Sequence, residues 1–407
     1  MSRVGLTTTC NITTGKLDAN AVEENGIYPF FTCAPEPLTI NTYAFDDDVI
    51  LLAGNNASGN FHCQRYKGKF NAYQRTYVIT AKEGYDIDYI YYNLKISLQQ
   101  LKKKAQGSQT KFLTMKILED FMVEDLEYSE QKKLSKVLAQ IDKKISINNK
   151  ANKKLFDMTK TLFDYYFLQF EFPNENNEPY KTSSGSFEWN GKLQREIPTG
   201  WKAGVLAEFI GNDKGGDWGN DVEEGNYNFQ VSCIRGADFP SITGNQILEA
   251  PIRFILERNK GKILEEGDII IEISGGSPTQ STGRICYIND KLIERFDNPV
   301  ITSNFCKAFS MKKENSSYWF YLLWNKLYDS NVFFNYESKT TGIKNLLFEI
   351  LCNNYPVIIP PDDIIEAFNN KVKPIFEKMQ ENNKQNEKLI SIREYLLPML
   401  MNGQVFI

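Results

Sequence analysis

Three short stretches of this 407-residue chain contain residue types that could carry out chemistry on nucleic acids or nucleotides. Methylation of base amino groups uses an Asn/Asp-Pro-Pro-aromatic motif, but DNPV, from Asp297, has one proline and no aromatic residue. A phosphate-binding loop needs GxxxxGK followed by Ser or Thr, whereas GGSPTQSTGR, from Gly275, ends in Arg284 and has no lysine. A carboxylate-pair nuclease needs Glu-x-Lys, and Glu272 is followed by Ile-Ser. The sequence therefore predicts a protein without its own catalytic site.

The cysteine and histidine content argues against a metal site or a disulfide framework. The seven cysteines are odd in number and form no CxxC pair, which is typical of a reducing compartment. His62 is the single histidine, so a His-based metal site or catalytic triad is disfavoured. No apolar run reaches the roughly 18 residues of a membrane span, and MSRVGLTTTC at the start lacks the apolar core of a signal peptide. We expect a cytoplasmic protein without a bound metal.

Other polar stretches carry side chains suited to contacting DNA. The loops Asn55–Asn60 and Ser274–Arg284 offer amide, hydroxyl and backbone donors for phosphates or base edges. Arg and Lys read guanine and Asn and Gln read adenine in the major groove, and each candidate has a solvated loop or surface residue as its alternative interpretation. The candidates are Asn55, Asn56, Ser58, Lys67, Lys69, Asn71, Tyr73, Gln74, Arg75, Lys102, Lys103, Lys104, Ser274, Ser277, Thr279, Gln280 and Arg284.

The charge of the chain differs from that of an autonomous DNA-binding protein. Its net charge of −4 is not the basic footprint expected of one. The charge is uneven, however, because residues 130–160 contain nine lysines against three acidic residues, whereas residues 364–394 contain six basic and five acidic residues. This distribution fits a component of an assembly better than a protein that binds DNA alone.

One segment of the chain is repeated. KISINNKANKKLF, from Lys144, and KMQENNKQNEKLI, from Lys378, are identical at seven of thirteen positions, with an offset of 234 residues (382 − 148). Each segment lies in an unbroken heptad seam, which predicts a helix that buries a narrow stripe against another helix. The natural partner of each helix is the other, the alternative being two unrelated amphipathic helices on separate domains. The seams are Leu134, Leu138, Ile141, Ile145, Asn148, Asn152, Leu155, Thr159, Leu162, Tyr166 and Phe368, Val372, Ile375, Met379, Asn382, Asn386, Leu389, Arg393, Leu396, Leu400.

The regions before the two helices also follow a common plan. DDDVILLAGNNASG, from Asp46, and GDIIIEISGGSPTQSTG, from Gly267, each resemble an acidic turn, a buried strand and a polar loop. Because a compact domain usually has neighbouring termini, the helices must run antiparallel. We predict an α+β fold with two globular domains in a pseudo-two-fold arrangement, joined by a coiled coil roughly 60 Å long. The predicted segments are 1–125 and 173–360 for the domains and 126–172 and 361–407 for the spacer helices.

Two asparagine pairs predict how the helices face each other. If the seam centres pack together antiparallel, facing residues have numbers that sum to 534, so Asn148 lies opposite Asn386 and Asn152 opposite Asn382. A register slip of one heptad would leave buried amides unpaired, at about 1–3 kcal/mol each. We therefore predict that these four residues fix the coiled-coil register. The alternative is that they lie at the edge of the seam and face water.

Four parts of the sequence resemble the specificity subunit of type I restriction-modification systems. They are IPTGWKAGVLAEFI from Ile197, NITTGKLDANAVEENGIYPFFTC from Asn11, GKFNAYQRTYVI from Gly68, and the lysine-rich heptad helices. The resemblance covers essentially the whole chain, although the first half lacks a PxGW entry. It implies two target-recognition domains that each read one half of a split DNA sequence, with the coiled coil setting the gap.

The resemblance also implies partners and cofactors. The family's subunit is not catalytic and assembles two methyltransferase subunits, which bring S-adenosylmethionine, with restriction/motor subunits. S-adenosylmethionine, ATP and magnesium are thus expected on the partner subunits only, and double-stranded DNA is the expected ligand. A second hypothesis is a two-headed structural adaptor that binds proteins or RNA through the same spacer. Salt-sensitive, sequence-selective DNA binding that strengthens when a methyltransferase subunit is added would separate the two.

Exchange of one predicted domain tests this modular interpretation. Replacing residues 1–125 by the equivalent domain of a relative should change one half of the recognised sequence, because each domain is predicted to carry its own contacts. Mapping of methylated bases in cells that express the chimera with its methyltransferase measures the outcome. A sequence altered in both halves would contradict the modular prediction.

Overall fold

The chain forms a mixed α+β fold with two compact units, which confirms the predicted fold class in its α+β, two-domain content. Unit 1 comprises Met1–Lys144 with Leu389–Ile407, and unit 2 comprises Ile145–Lys388. No helix among the described residues is long and apolar enough to cross a membrane. The computed structural model describes residues 2–107, 109–244, 247–277, 279–338 and 343–404.

Unit 1 is built on a six-stranded sheet with four short helices and parts of two long ones. Its strands are β1 (Arg3–Gly5), β2 (Cys10–Thr14), β3 (Tyr28–Phe31), β4 (Leu38–Ile40), β5 (Phe45–Ala53), β6 (Asn55–Asn56), β7 (Cys63–Ala72), β8 (Thr76–Ala81), β9 (Lys111–Phe112) and β10 (Met122–Glu124). Its helices are α1 (Leu6–Thr9), α2 (Ile87–Ile96), α3 (Leu98–Lys104), α4 (Met115–Glu119) and the start of α5 (Tyr128–Phe163). The strand order of the sheet is β2-β8-β5-β7-β3-β4.

The central strand β5 is apolar at successive positions because both faces of the sheet are covered. Side chains alternate between the faces of a strand. Ile50 and Leu52 pack in the same core as Ile90 of α2, whereas Val49 and Leu51 pack in a second, smaller core that contains Phe70. The predicted buried strand is therefore present and organises unit 1.

Unit 2 repeats this arrangement with additional strands. Its strands are β11 (Phe187–Asn190), β12 (Arg195–Pro198), β13 (Lys202–Val205), β14 (Ile210–Asp213), β15 (Tyr227–Ile234), β16 (Ile252–Leu256), β17 (Ile269–Glu272), β18 (Ser274–Gly275), β19 (Ile285–Tyr287), β20 (Val300–Thr302), β21 (Cys306–Met311), β22 (Lys344–Asn345) and β23 (Pro356–Ile359). Its helices are α6 (Phe239–Thr243), α7 (Asp290–Ile293), α8 (Ser317–Asp329), α9 (Phe348–Asn354) and α10 (Asp362–Met401), which continues into unit 1.

The strand pairing shows the duplication more clearly than the sequence does. The order β2-β8-β5-β7 in unit 1 matches the order β14-β21-β17-β19 in unit 2, and the pairs β1–β10 and β6–β9 match β13–β23 and β18–β22. The offset between matching elements grows from 200 residues at β2 and β14 (210 − 10) to 234 at α5 and α10 (362 − 128). Insertions in unit 2 account for the increase, so no single offset aligns all the matching elements.

The two long helices begin where the sequence predicts. Helix α5 starts three residues after Asp125 (128 − 125), and α10 starts directly after Pro360-Pro361, where proline presets the backbone for a first helical turn. The first helix was predicted to extend to residue 172, but α5 ends at Phe163 and one π-helical turn continues to Leu168. The chain then leaves the helix because Phe170 adopts a positive φ of 61° and is buried in the core of unit 2.

Candidate DNA interface and helix register

The loop that follows β5 is organised by one asparagine. Asn56 Oδ1 accepts hydrogen bonds from Ser58 N (3.0 Å), Ser58 Oγ (2.9 Å) and Asn60 N (3.0 Å). Asn55 is half-buried beside it, in β6 opposite Phe112. The side-chain oxygen of Asn56 is thus used inside the loop and that of Asn55 is buried, whereas the side chains of Ser58 and Asn60 are exposed.

Lysine side chains flank this loop. Lys102 Nζ donates to Asn60 Oδ1 at 2.7 Å. A Cβ atom on Gly59 would lie 3.2 Å from side-chain carbons of both Lys102 and Lys111, so both lysines border the tip of the loop. Lys103 and Lys104 are exposed on the same helix, α3. Sequence reasoning did not select Lys111, although the β6–β9 pairing places it opposite Asn56. The edge formed by these groups is suited to binding phosphate.

The turn between β7 and β8 lies against the end of β5. Arg75 O accepts a hydrogen bond from Gly54 N at 2.8 Å, and the side chain of Arg75 is exposed. Gln74 is also exposed, and its Nε2 donates to Asp18 Oδ1 at 3.1 Å, whereas Tyr73 is half-buried. Of the predicted residues in this turn, Arg75 and Gln74 therefore present their side chains to solvent.

Two further lysines lie on β7. Both are exposed, with Lys67 Nζ 3.5 Å from Asp48 Oδ2 and Lys69 Nζ 4.6 Å from the centre of the Tyr43 ring. An exposed ion pair or cation–π contact of this kind contributes little to stability because it stays in contact with solvent. Both ammonium groups can therefore reach a phosphate at small energetic cost.

Two of the predicted DNA-contacting side chains are engaged inside their own domains. Asn71 is only 4% exposed, and its Oδ1 accepts a hydrogen bond from Ala72 N at 3.0 Å. Arg284 donates from Nε and Nη2 to the buried carboxylate of Glu272 at 2.8 and 2.6 Å, and this pairing raises the pKa of the guanidinium. A buried carboxylate would be left uncompensated if Arg284 turned towards DNA.

The remaining candidates of unit 2 lie in a second polar loop. Ser277 Oγ accepts from Gln280 N at 3.1 Å and from Thr279 N at 3.3 Å, and the side chains of Thr279 and Gln280 are exposed. Ser274 Oγ donates to Asn345 Oδ1 in the neighbouring strand β22. Thr279 and Gln280 are thus the accessible members of this loop, and Pro278 between them and Ser277 lies outside the described residues.

The two predicted asparagine pairs are present within unit 2. Asn148 Nδ2 donates to Asn386 Oδ1, and Asn382 Nδ2 donates to Asn152 Oδ1, both at 2.8 Å. In each pair the residue numbers sum to 534, so the facing positions are those predicted and this part of the helices is antiparallel. All four side chains are buried, at 3 to 9% exposure, which excludes the water-facing alternative.

The amides form a larger cluster than predicted. Asn148 Nδ2 also donates to Gln385 Oε1 at 2.8 Å, and Asn152 Nδ2 donates to Asn383 Oδ1 at 2.7 Å. The seven side chains, which we call the amide cluster, are Asn148, Asn149, Asn152, Asn382, Asn383, Gln385 and Asn386. Buried amides are stable when they are hydrogen-bonded to one another, so the cluster favours one register of the two helices.

A buried polar network connects the amide cluster to the globular part of unit 2. Asn383 Nδ2 and Gln380 Nε2 both donate to Ile242 O, at 3.1 and 3.0 Å. Arg295, whose side chain is fully buried, donates to Gln380 Oε1 at 2.6 Å and forms an ion pair with Glu387 at 2.7 Å. The residues that pair the helices therefore also hold the adjoining globular domain on α10.

Unit 1 attaches its own domain to the ends of the helices. Arg393 Nη1 of α10 donates to Asp142 Oδ1 of α5 at 2.6 Å, and Tyr92 Oη of α2 donates to Asp142 Oδ2 at 2.8 Å. Burial, together with Asp142, raises the pKa of Tyr92, so its hydroxyl stays protonated and remains a donor. On α5, the fully buried Gln131 accepts from the backbone N–H of Asp86 at the start of α2.

The fold thus consists of two α+β domains of matching topology with exposed polar loops, and the long helices pair through buried amides within unit 2. Residues 6–156 and 222–391 match the model of the type I restriction modification DNA specificity domain. The chain belongs to this family and has two such domains.

Named relatives agree with the family. The chain is 34% identical to the EcoDI type I restriction enzyme specificity subunit of Escherichia coli, over 47% of this chain and 44% of that protein, less than half its length. It is 29% identical to the MjaIX specificity subunit of Methanocaldococcus jannaschii, over 80% of this chain and 71% of that one. The crystal structure of an S subunit from M. genitalium has the same fold, with a TM-score of 0.61 at 15% identity over 98% of this chain and 96% of that one.

Replacing the paired asparagines separates register from stability. With all four changed to Leu, we expect the unfolding free energy to be kept or raised, because added apolar burial offsets the donors lost by Asn383 Oδ1, Asn149 Oδ1 and Gln385 Oε1. The register of the two helices should become less well defined. The single change Asn148→Leu should instead lower the unfolding free energy by about 1–3 kcal/mol, since Asn386 Oδ1 loses its donor. Urea unfolding measures both, and equal decreases in the two variants would contradict the prediction.

Proposed function

We infer that this specificity subunit reads a split DNA sequence without catalysing a reaction. One domain contacts each half of the target, and the paired helices keep the halves at a set spacing. The observation that carries this proposal is the repeated topology, in which each domain places a polar loop beside the end of its central strand. A fixed register between the helices supplies the constant spacing that a two-part sequence requires.

The exposed residues support a division of work within each domain. In unit 1, Lys67, Lys69, Lys102, Lys103 and Lys104 are positioned for phosphate contacts, which orient a protein on the duplex without reading sequence. Arg75 and Gln74 have the chemistry to read guanine and adenine. In unit 2, the loop that contains Ser274, Ser277, Thr279 and Gln280 takes this role. These assignments rest on exposure and on position in the fold.

The charge of the chain supports a role within a complex. A net charge of −4 gives little general attraction to DNA, so partner subunits must supply most of the contacts that hold the duplex. We infer that two methyltransferase subunits and restriction/motor subunits assemble on this chain. S-adenosylmethionine, ATP and magnesium bind to those partners, and the chain itself holds no cofactor. A structural adaptor for proteins or RNA is the second candidate function, which the same experiment excludes or supports.

DNA binding by the full chain with its methyltransferase subunits tests the proposal. We expect sequence-selective binding that weakens steeply with salt and that strengthens when the methyltransferase is added. The double variant Lys102→Ala/Lys111→Ala should reduce the slope of log K against log salt by about 0.9 for each phosphate that the variant no longer neutralises. Affinity should fall by a similar factor for target and non-target duplexes.

The matched control is Lys181→Ala/Lys192→Ala, which removes two exposed lysines of unit 2 outside the proposed interface. An equal change of slope in both double variants would contradict the assigned interface. Absence of sequence preference in the wild-type complex, with tighter binding to RNA or to a protein, would favour the adaptor.

A further inference from the structure

The turn before the last sheet strand has the same backbone contacts in both domains. In unit 1, Thr76 N donates to Tyr73 O and Gly54 N donates to Arg75 O, both at 2.8 Å. In unit 2, Cys306 N donates to Ser303 O and Ile273 N donates to Phe305 O, both at 2.9 Å. Two hydrogen bonds to neighbouring strands are also repeated. Tyr73 N donates to Phe31 O in unit 1, as Ser303 N donates to Ile234 O in unit 2. Leu113 N donates to Gly54 O in unit 1, as Leu346 N donates to Ile273 O in unit 2.

These contacts make Arg75 and Phe305 equivalent positions. Each residue holds the end of the central strand through its backbone oxygen and presents its side chain to solvent, with Phe305 55% exposed. The residues before them, Gln74 and Asn304, are equivalent and exposed as well. The same rigid turn thus presents a cation in one domain and an aromatic ring in the other.

The charge around the two turns differs in the same way as the turn residues do, because it is basic in unit 1 and neutralised in unit 2. In unit 1, Lys102 and Lys111 border the neighbouring loop. In unit 2, Lys344 is the counterpart of Lys111 in the paired short strand, and it forms an ion pair at 2.8 Å with Glu337, which is nearly buried. Arg284 is likewise paired with Glu272. The described basic groups close to the second loop are therefore neutralised within the domain.

We propose that Arg75 and Phe305 are the equivalent specificity-determining residues of the two domains, and that they read half-sites of different base character. Arg75 donates to O6 and N7 of a guanine in the half-site of unit 1. The ring of Phe305 packs on the 5-methyl group of a thymine in the half-site of unit 2. This inference rests on the proposed function and adds which side chain reads which chemical group.

The chemistry of the two side chains supports this pairing. A guanidinium can donate two parallel hydrogen bonds to guanine in the major groove, and an apolar side chain contacts the thymine methyl there. Removal of a bidentate contact to guanine corresponds to about a 10- to 100-fold decrease in affinity. Removal of one buried methyl contact corresponds to about a three- to tenfold decrease. The two contacts can therefore be distinguished by the size of the decrease in affinity as well as by the half-site in which it occurs.

Modified bases test the proposal in the complex of the full chain with its methyltransferase subunits. The target sequence is first obtained by mapping methylated bases, and the half read by unit 1 is the half that changes when residues 1–125 are exchanged. Duplexes then carry single 7-deazaguanine substitutions in that half, which remove N7, or single deoxyuridine substitutions in the other half, which remove the methyl group.

We expect one 7-deazaguanine to weaken binding to the wild-type complex about tenfold and to have no further effect on Arg75→Ala. Arg75→Lys, which keeps the charge and can still donate to guanine but lacks the rigid guanidinium fork, should show a 7-deazaguanine effect between those of the wild type and Arg75→Ala. One deoxyuridine should weaken binding about three- to tenfold and have no further effect on Phe305→Ala or Phe305→Leu. Each base change should keep its full effect in the variant of the other domain.

Exposed residues of the same chemical kind provide the controls. Arg258→Ala and Trp189→Ala, both at exposed positions of unit 2, should leave the effects of both modified bases unchanged. The proposal is overturned if the deoxyuridine effect persists in Phe305→Ala, if Arg75→Ala weakens all duplexes equally, or if the halves lack the required guanine or thymine. Absence of any two-part target would instead overturn the proposed function, so the two failures are distinguishable.

Discussion

Hydrogen bonds between buried amides of the two long helices are the contact on which the rest of the structure depends. A heptad seam of apolar residues alone would pack almost equally well after a shift of one heptad, because leucine and isoleucine make no directional contacts. The pairs Asn148–Asn386 and Asn152–Asn382 remove this freedom, since each shifted register would bury amides without partners. The helices therefore contribute a defined alignment as well as stability.

The same contacts extend from the helices to a globular domain. Ile242 O accepts hydrogen bonds from Asn383 and Gln380 of α10, and Arg295 binds Gln380 and Glu387. A charged side chain without solvent exposure is stable only when its charge is compensated and its donors are used. Domain position and helix register in unit 2 consequently rest on one connected set of polar groups, which a flexible surface contact could not provide.

The long helices and their pairing could be predicted from sequence because they follow local, periodic rules. A seam of period 3.5 and two asparagines at matching positions were enough to place Asn148 opposite Asn386. The duplication of the domains was harder to detect, because insertions change the offset between matching strands from 200 to 234 residues (210 − 10 and 356 − 122). Strand pairing reveals the repeat because it depends on hydrogen bonds rather than on distance along the chain.

Individual site residues were predicted less well, for physical reasons that differ from case to case. Asn71 and Arg284 were selected as DNA contacts because of their residue types. The burial of Asn71 and the pairing of Arg284 with Glu272 depend on tertiary contacts that the residue type does not indicate. Phe305 was not selected from the sequence because an aromatic residue usually packs in a core, and only the structure shows that it is exposed and equivalent in position to Arg75. Tertiary contacts, which one sequence does not reveal, decide these cases.

Disulfide trapping of the helix register tests the central claim most directly. Cysteines at Leu155 and Met379, whose numbers sum to 534, should cross-link under mild oxidation in an otherwise unchanged chain. Cysteines at Leu155 and Val372, one heptad away, should not. After replacement of the four paired asparagines by Leu, we predict that both pairs cross-link, because the slipped register is no longer penalised. Retention of the single 155–379 cross-link in that variant would contradict the claim that the amides fix the register.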